Sequence, residues 1–211
     1  MSLKVAIVPV TPFQQNCTLL WEEETKRGAV VDPGGDVPRL EQAIARAGLK
    51  VEKILLTHGH VDHAGGASEL AARLGVDIDG PHRADAFLLE ALPEQGRALG
   101  LVNARKVTPT RWLEEGSTVK AAGVEFEVFH CPGHSPGSVV LVAVAQRFAL
   151  VGDVLFRGSI GRTDFPYGDH TALLRSIRTK LLSLPDDVVF ICGHGPTSTI
   201  GEERRSNPFI A

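Results

Sequence analysis

The sequence predicts an α/β fold in which two β-sheets pack face to face and helices cover their outer surfaces. Two observations carry this expectation. Apolar, β-rich runs alternate with amphipathic stretches, and the pattern occurs twice along the chain. In addition, histidines and an aspartate recur just past strand-like runs, as at a site on one edge of a sheet sandwich.

The elements follow in order. Residues 4–10, 18–21 and 29–32 are apolar runs with strand character. Asp32-Pro33-Gly34-Gly35 then breaks the chain, and Asp36 is placed to cap a helix running to Ala47, with Gly48 as its stop. Residues 51–57 read as a buried strand, and 64–74 as a second helix closed by Gly75. The stretch 81–110 carries only a weak helix–loop pattern. Strands return at 118–120, 124–130, 138–144 and 148–151. A helix starts near Asp169, with Leu173, Leu174, Ile177 and Leu181 on one face and Pro185 past its end. Residues 188–192 form the last expected strand.

The chain has 211 residues, 43% hydrophobic and 22% charged, which suits one globular domain with a substantial core. A net charge of −3 gives no general drive towards nucleic acid or anionic lipid. Apolar stretches are too short and broken to span a membrane. The first residues lack a cleavage pattern, so the expected location is the cytoplasm. Cys17, Cys131 and Cys192 show no paired spacing and read as small buried apolar residues rather than nucleophiles.

The chemistry is concentrated in Thr57-His58-Gly59-His60-Val61-Asp62-His63. H-x-H-x-D-H should arise by chance roughly once in two thousand chains of this composition. On an extended loop, residues two apart point the same way, so His58 and His60 can converge on one ion. Asp62 and His63 can serve a neighbouring ion. His134, in a turn-rich loop after a strand, and Asp153 and His194, at glycine-flanked strand ends, are the further ligand candidates. His82 and His130 lack such a setting. His170, beside Asp169 at a helix start, reads as a capping-region residue.

H-x-H-x-D-H, then Gly133-His134-Ser135, then Gly152-Asp153, then Gly193-His194, over nearly the whole chain, resembles the metallo-β-lactamase superfamily. The resemblance implies an αββα sandwich, with two mixed sheets and helices outside. It also implies that His58, His60 and His134 hold one metal, that Asp62, His63 and His194 hold another, and that Asp153 bridges them. Residues 152–165 and 201–209 look like the short bacterial glyoxalase II-like hydrolases, and persulfide dioxygenases share much of both segments. The C-terminal helical domain of long glyoxalase II enzymes, which helps hold glutathione, is not expected in 211 residues. Arg162 stands where that family carries a glutathione-contacting Lys. It is either a bidentate substrate anchor or a structural partner of Asp164.

The implied cofactor is two divalent metal ions, zinc ahead of iron or manganese, held by imidazole and carboxylate alone. Two cations about 3.5–4 Å apart can share a water and lower its pKa to about 7. Asp62 and Asp153 are the catalytic candidates, Asp62 by orienting the shared hydroxide and Asp153 by fixing the spacing. Asp32 is either an orienter of a ligand histidine or a turn-former. The expected function is hydrolysis of S-acylglutathione-type thioesters such as S-lactoylglutathione, because a thiolate leaves without a general acid. The rival is a mononuclear iron persulfide dioxygenase acting on glutathione persulfide. The expected partner is a small-molecule thioester, with neither nucleic acid nor membrane, for a monomer or homodimer.

Overall fold

In the computed structural model, which describes residues 2–210, the first half of the chain builds one mixed sheet. β1 (Leu3–Val10), β2 (Gln15–Glu22) and β3 (Arg27–Val31) run antiparallel; β4 (Lys50–Leu55) and β5 (Asp77–Asp79) continue parallel to β3. The second half builds another. β6 (Thr118–Ala121), β7 (Val124–His130), β8 (Val139–Ala143) and β9 (Phe148–Gly152) form an antiparallel run. A two-stranded hairpin, β10 (Leu155–Phe156) and β11 (Ser159–Ile160), precedes β12 (Val189–Cys192), parallel to β9, and β13 (Ser198–Thr199) closes the edge.

Strand alternation sorts neighbouring residues into three cores. Leu20, Val31 and Leu55 point between the sheets, where Phe126, Leu141 and Leu150 meet them. Their neighbours Leu19, Val30 and Ile54 point outward against α1 (Val37–Ala47), α3 (Ala67–Leu74) and α5 (Leu92–Leu99) through Leu40, Leu70 and Leu92. On the far side Val140, Ala149 and Phe190 meet Leu173, Ile177 and Leu181. The expected layering of two sheets between helices is therefore the observed one. Among the described residues no helix is long and apolar enough to cross a membrane.

Several elements differ from expectation. The helix expected over 64–74 is two: a single turn, α2 (Val61–Ala64), and α3, separated by Gly65-Gly66. The break arises because Gly66 N–H donates to Pro33 O at 2.9 Å, drawing the chain onto the 33–35 loop. Asp36 stands at the N-cap position of α1 as expected but makes no side-chain cap bond; with φ 49° it turns its carboxylate to accept from Thr11 N–H at 2.8 Å. The weak stretch resolves into a 3₁₀ turn at Arg83–Asp85, α4 (Ala86–Glu90) and α5. The helix after Asp169 is α6 (His170–Ser176), prolonged by a π turn at Ile177–Leu181, and Asp169 caps it by accepting from Ala172 N–H. β5, the β10–β11 hairpin, β13 and α7 (Ile200–Ser206) were not anticipated.

Candidate metal centre

All seven ligand candidates meet at one edge of the sandwich, each delivered just past a strand. His58, His60, Asp62 and His63 follow β4, the last two on the single turn α2. His134 follows β7, Asp153 follows β9 and His194 follows β12. Backbone bonds lock the two sheets together here: Val139 N–H donates to Thr57 O at 2.8 Å, and Asn16 N–H to Gly193 O at 2.7 Å.

The residues form two triads, His58–His60–His134 and Asp62–His63–His194. His60 Nδ1 and His134 Nε2 lie 3.0 Å apart. His194 Nε2 lies 3.2 Å from Asp62 Oδ2. Asp153 sits between the triads, with Oδ1 3.3 Å from His63 Nε2 and Oδ2 3.6 Å from both His134 Nε2 and His194 Nε2.

Every histidine makes an outward contact, and for His58, His63, His134 and His194 that contact is to an acceptor, which fixes the tautomer. His134 Nδ1–H donates to Arg162 O at 2.9 Å, and His194 Nδ1–H to Phe13 O at 3.2 Å. His60 Nε2 pairs with Tyr167 Oη at 2.8 Å. Asp32 Oδ2 accepts from His63 Nδ1–H at 2.9 Å and from Thr57 Oγ1–H at 2.6 Å, which leaves Thr57 Oγ1 to accept from His58 Nδ1–H at 3.0 Å. Asp32 thus braces His63 directly and His58 through Thr57.

With the outer nitrogens of His58, His63, His134 and His194 donating, the inward nitrogens of these rings carry lone pairs whenever the rings are neutral. His60 Nδ1 faces His134 Nε2 at 3.0 Å, and His194 Nε2 faces the Asp62 carboxylate at 3.2 Å. His58 Nε2, His63 Nε2 and Asp153 Oδ1 are buried with no hydrogen-bond partner. Such a convergence is costly unless cations occupy its middle. Space is kept at Gly193, where a Cβ would fall 2.0 Å from Asp153 Oδ1 and 2.4 Å from His63 Cε1. The donor set and its setting fit divalent metal.

The electrostatics follow from burial and these neighbours. Burial and the surrounding imidazoles push His58 well down, and burial with His134 pushes His60 down to about 3. Burial opposes charge on His63 too, but Asp153 and Asp62 hold its pKa well above the ordinary value. His194 is raised against burial by its hydrogen bond to Asp62 and the charge of Asp153. Asp153 is likewise held far below the usual carboxylate range by His63, His134 and His194, although burial opposes this.

A sequence model described as the metallo-beta-lactamase superfamily matches residues 10–194. The chain belongs to that superfamily. Within it, hydroxyacylglutathione hydrolase GloC of Haemophilus influenzae is 50% identical over 209 residues, 99% of this chain and 98% of the relative. Among solved structures, BLEG-1 B3 metallo-beta-lactamase superposes with a TM-score of 0.88 at 37% identity, over 98% of this chain and 99% of the other. TTHA1623 in a di-iron-bound form superposes at 0.86 and 38% identity, over 97% and 99%.

Around this superfamily centre, Arg162 is the candidate least committed to it. Its Nε and Nη2 each donate to Asp164 at 2.6 Å, and its guanidinium lies 4.6 Å from the Phe165 ring centroid. His82 and His130 stack on each other at 3.9 Å, and exposed His170 begins α6; none of the three belongs to the triads. The three cysteines are buried and unpaired, and burial pushes Cys131 up to about 12 and Cys192 up to about 11. The sequence reading missed Tyr167, which bonds His60, and Asp85, which is buried beneath two ligand loops. No local motif marks either residue.

Proposed function

We propose that this chain is a metal-dependent hydrolase of thioesters of the S-acylglutathione type, S-lactoylglutathione among them, that works with two divalent cations. The observation that carries the reading is the convergence of imidazole and carboxylate atoms, three of them buried without a hydrogen-bond partner. His58, His60 and His134 would hold one cation, Asp62, His63 and His194 the other, with Asp153 shared. Zinc is the first candidate; the di-iron form of a relative keeps iron beside it. The 50% identity, over 99% of this chain, to a hydroxyacylglutathione hydrolase supports the substrate class.

When bound, two such cations supply Lewis acidity that brings a water to its hydroxide form near neutral pH and polarises a carbonyl. The protein does the rest by orientation. Asp62, ionised and 19% exposed at its side chain, accepts a hydrogen bond from the attacking water and sets its direction. The thiol of the product has a pKa near 8.5, so it leaves as thiolate and no general acid is required. With their thiols buried and their pKa values raised, Cys17, Cys131 and Cys192 do not compete as nucleophiles. Arg162 is proposed as the anchor for a substrate carboxylate once its hold on Asp164 is exchanged.

The test is metal analysis of protein purified without added metal, joined to two assays. Two cations per chain and hydrolysis of S-lactoylglutathione are expected, with Asp62→Ala losing about 10²–10³-fold in kcat. One iron per chain with oxygen uptake on glutathione persulfide would replace this reading with the dioxygenase. Undiminished hydrolysis by Asp62→Ala would remove Asp62 from the mechanism.

A further inference from the structure

We infer that Asp85 is a positioning residue for one cation position only, that of His58, His60 and His134, acting through the backbone of the loops that carry them. The inference rests on the dinuclear reading above. Asp85 is fully buried. Its Oδ2 accepts from Gly59 N–H at 2.8 Å and from Ser135 Oγ–H at 2.7 Å, and its Oδ1 accepts from Gly137 N–H at 2.5 Å. Gly59 lies between His58 and His60, and Ser135 follows His134. One carboxylate therefore ties together the two chain segments, far apart in sequence, that deliver this triad.

The glycines in both motifs have the same explanation. A Cβ at Gly137 would fall 2.6 Å from Asp85 Cγ, and one at Gly59 would fall 2.7 Å from Leu88 Cβ and 3.3 Å from Asp85 Cβ. Both loops ride directly on the Arg83–Asp85 turn and α4, close enough for the carboxylate to reach their N–H groups. Gln95 on α5 extends the support, its Oε1 accepting from Val61 N–H at 3.1 Å and its Nε2 donating to Leu88 O at 2.8 Å. The other triad is held differently, His63 by Asp32 and His194 by the Phe13 carbonyl. Asp32 reaches both positions, His63 directly and His58 through Thr57, whereas the three bonds of Asp85 all fall beside ligands of one position, where its loss should be felt.

Asp85→Asn keeps the size of the side chain but turns one acceptor into a donor, which must face an N–H of Gly59 or Gly137. Zinc binding by the full chain, measured in competition with a chromophoric chelator, should change from two tight equivalents to one, the other weakened about 10- to 100-fold. The visible spectrum of the cobalt(II)-loaded protein should lose the bands of one position. Ser135→Ala, which removes the bonds to Asp85 and to Ser138 Oγ and should fold readily, should weaken the same position severalfold. Phe126→Leu, in the core between the sheets, should lower the melting temperature while leaving both affinities unchanged. Should Asp85→Asn not fold, Ser135→Ala decides. Affinities within twofold of the parent in the folded variants, or equal losses at both positions, would overturn the inference while the dinuclear reading stands. A parent chain binding fewer than two zinc ions would overturn both.

Discussion

Arg162 shows how a single residue can contribute backbone and side chain to different tasks. Its carbonyl accepts from His134 and so belongs to the centre, while its guanidinium is spent on Asp164. Both side chains are about two-thirds exposed, at 64% and 66%, so the pair is screened and easily exchanged for another carboxylate. Arg162 holds the Asp164 carboxyl down to about 2, so the competitor stays ionised at any working pH. Asp164→Ala should therefore free the guanidinium for a substrate carboxylate. The expected outcome is a KM for S-lactoylglutathione lowered about two- to fivefold, with kcat unchanged and a steeper dependence on salt. A KM indifferent to Asp164 would leave Arg162 with its backbone role alone.

At the scale of elements, the C-terminal helix α7 stabilises the segment that follows Asp153. Glu203 on α7 is buried and accepts from Gly158 N–H at 2.8 Å, from Asn207 Nδ2 at 2.8 Å and from the Ser198 hydroxyl. Asn207 in turn donates to Ser159 O at 3.0 Å, fastening the β10–β11 hairpin. Glu203→Gln presents a donor where three donors already converge. It should destabilise the chain by about 1–3 kcal/mol, read as a melting point lower by about 2–4 °C per kcal/mol, with metal content unchanged. An unaltered melting point would mean that the hairpin is held by packing instead. These pieces were hard to read from the sequence for physical reasons. β10, β11 and β13 are two residues each, too short to show alternation, and α7 has one apolar residue, Ile200, on which no periodicity can build. One signal was available: Thr199 followed three residues later by Glu202 is a helix-start pattern, and Thr199 does accept from Glu202 N–H. The main strands and the seven ligand candidates were legible because each is written locally, as an apolar run or as a motif at a strand end. Asp85 and Tyr167 meet the centre across 26 to 107 residues of chain, with no local pattern to announce them.

At the scale of the molecule, the centre draws four candidates from the first sheet and three from the second, so loading it with metal should bear on the stability of the whole sandwich. Cations present at a hundredfold excess over Kd stabilise by about 2.7 kcal/mol per position if they bind only the folded chain. The pH dependence has a definite sign. His58 and His60 are depressed and already neutral near pH 7, so a cation there displaces no proton from them. His63 and His194 are raised, so the metal-free chain holds protons that a cation must displace, and affinity at their position increases with pH. For the metal-free chain, a raised histidine contributes stability that is fully present below its unfolded value, near 6.5, and is lost as pH rises through the folded value. Across the window from about pH 6.5 up through those folded values, the metal-free protein should therefore lose stability while the loaded protein gains binding energy. The gap between their melting temperatures, measured with chelator and with excess zinc, should widen across that window. Calorimetry in two buffers of different ionisation enthalpy should show proton release on loading the Asp62–His63–His194 position. A gap that narrows with rising pH, or loading without proton release, would mean that His63 and His194 are neutral in the metal-free chain.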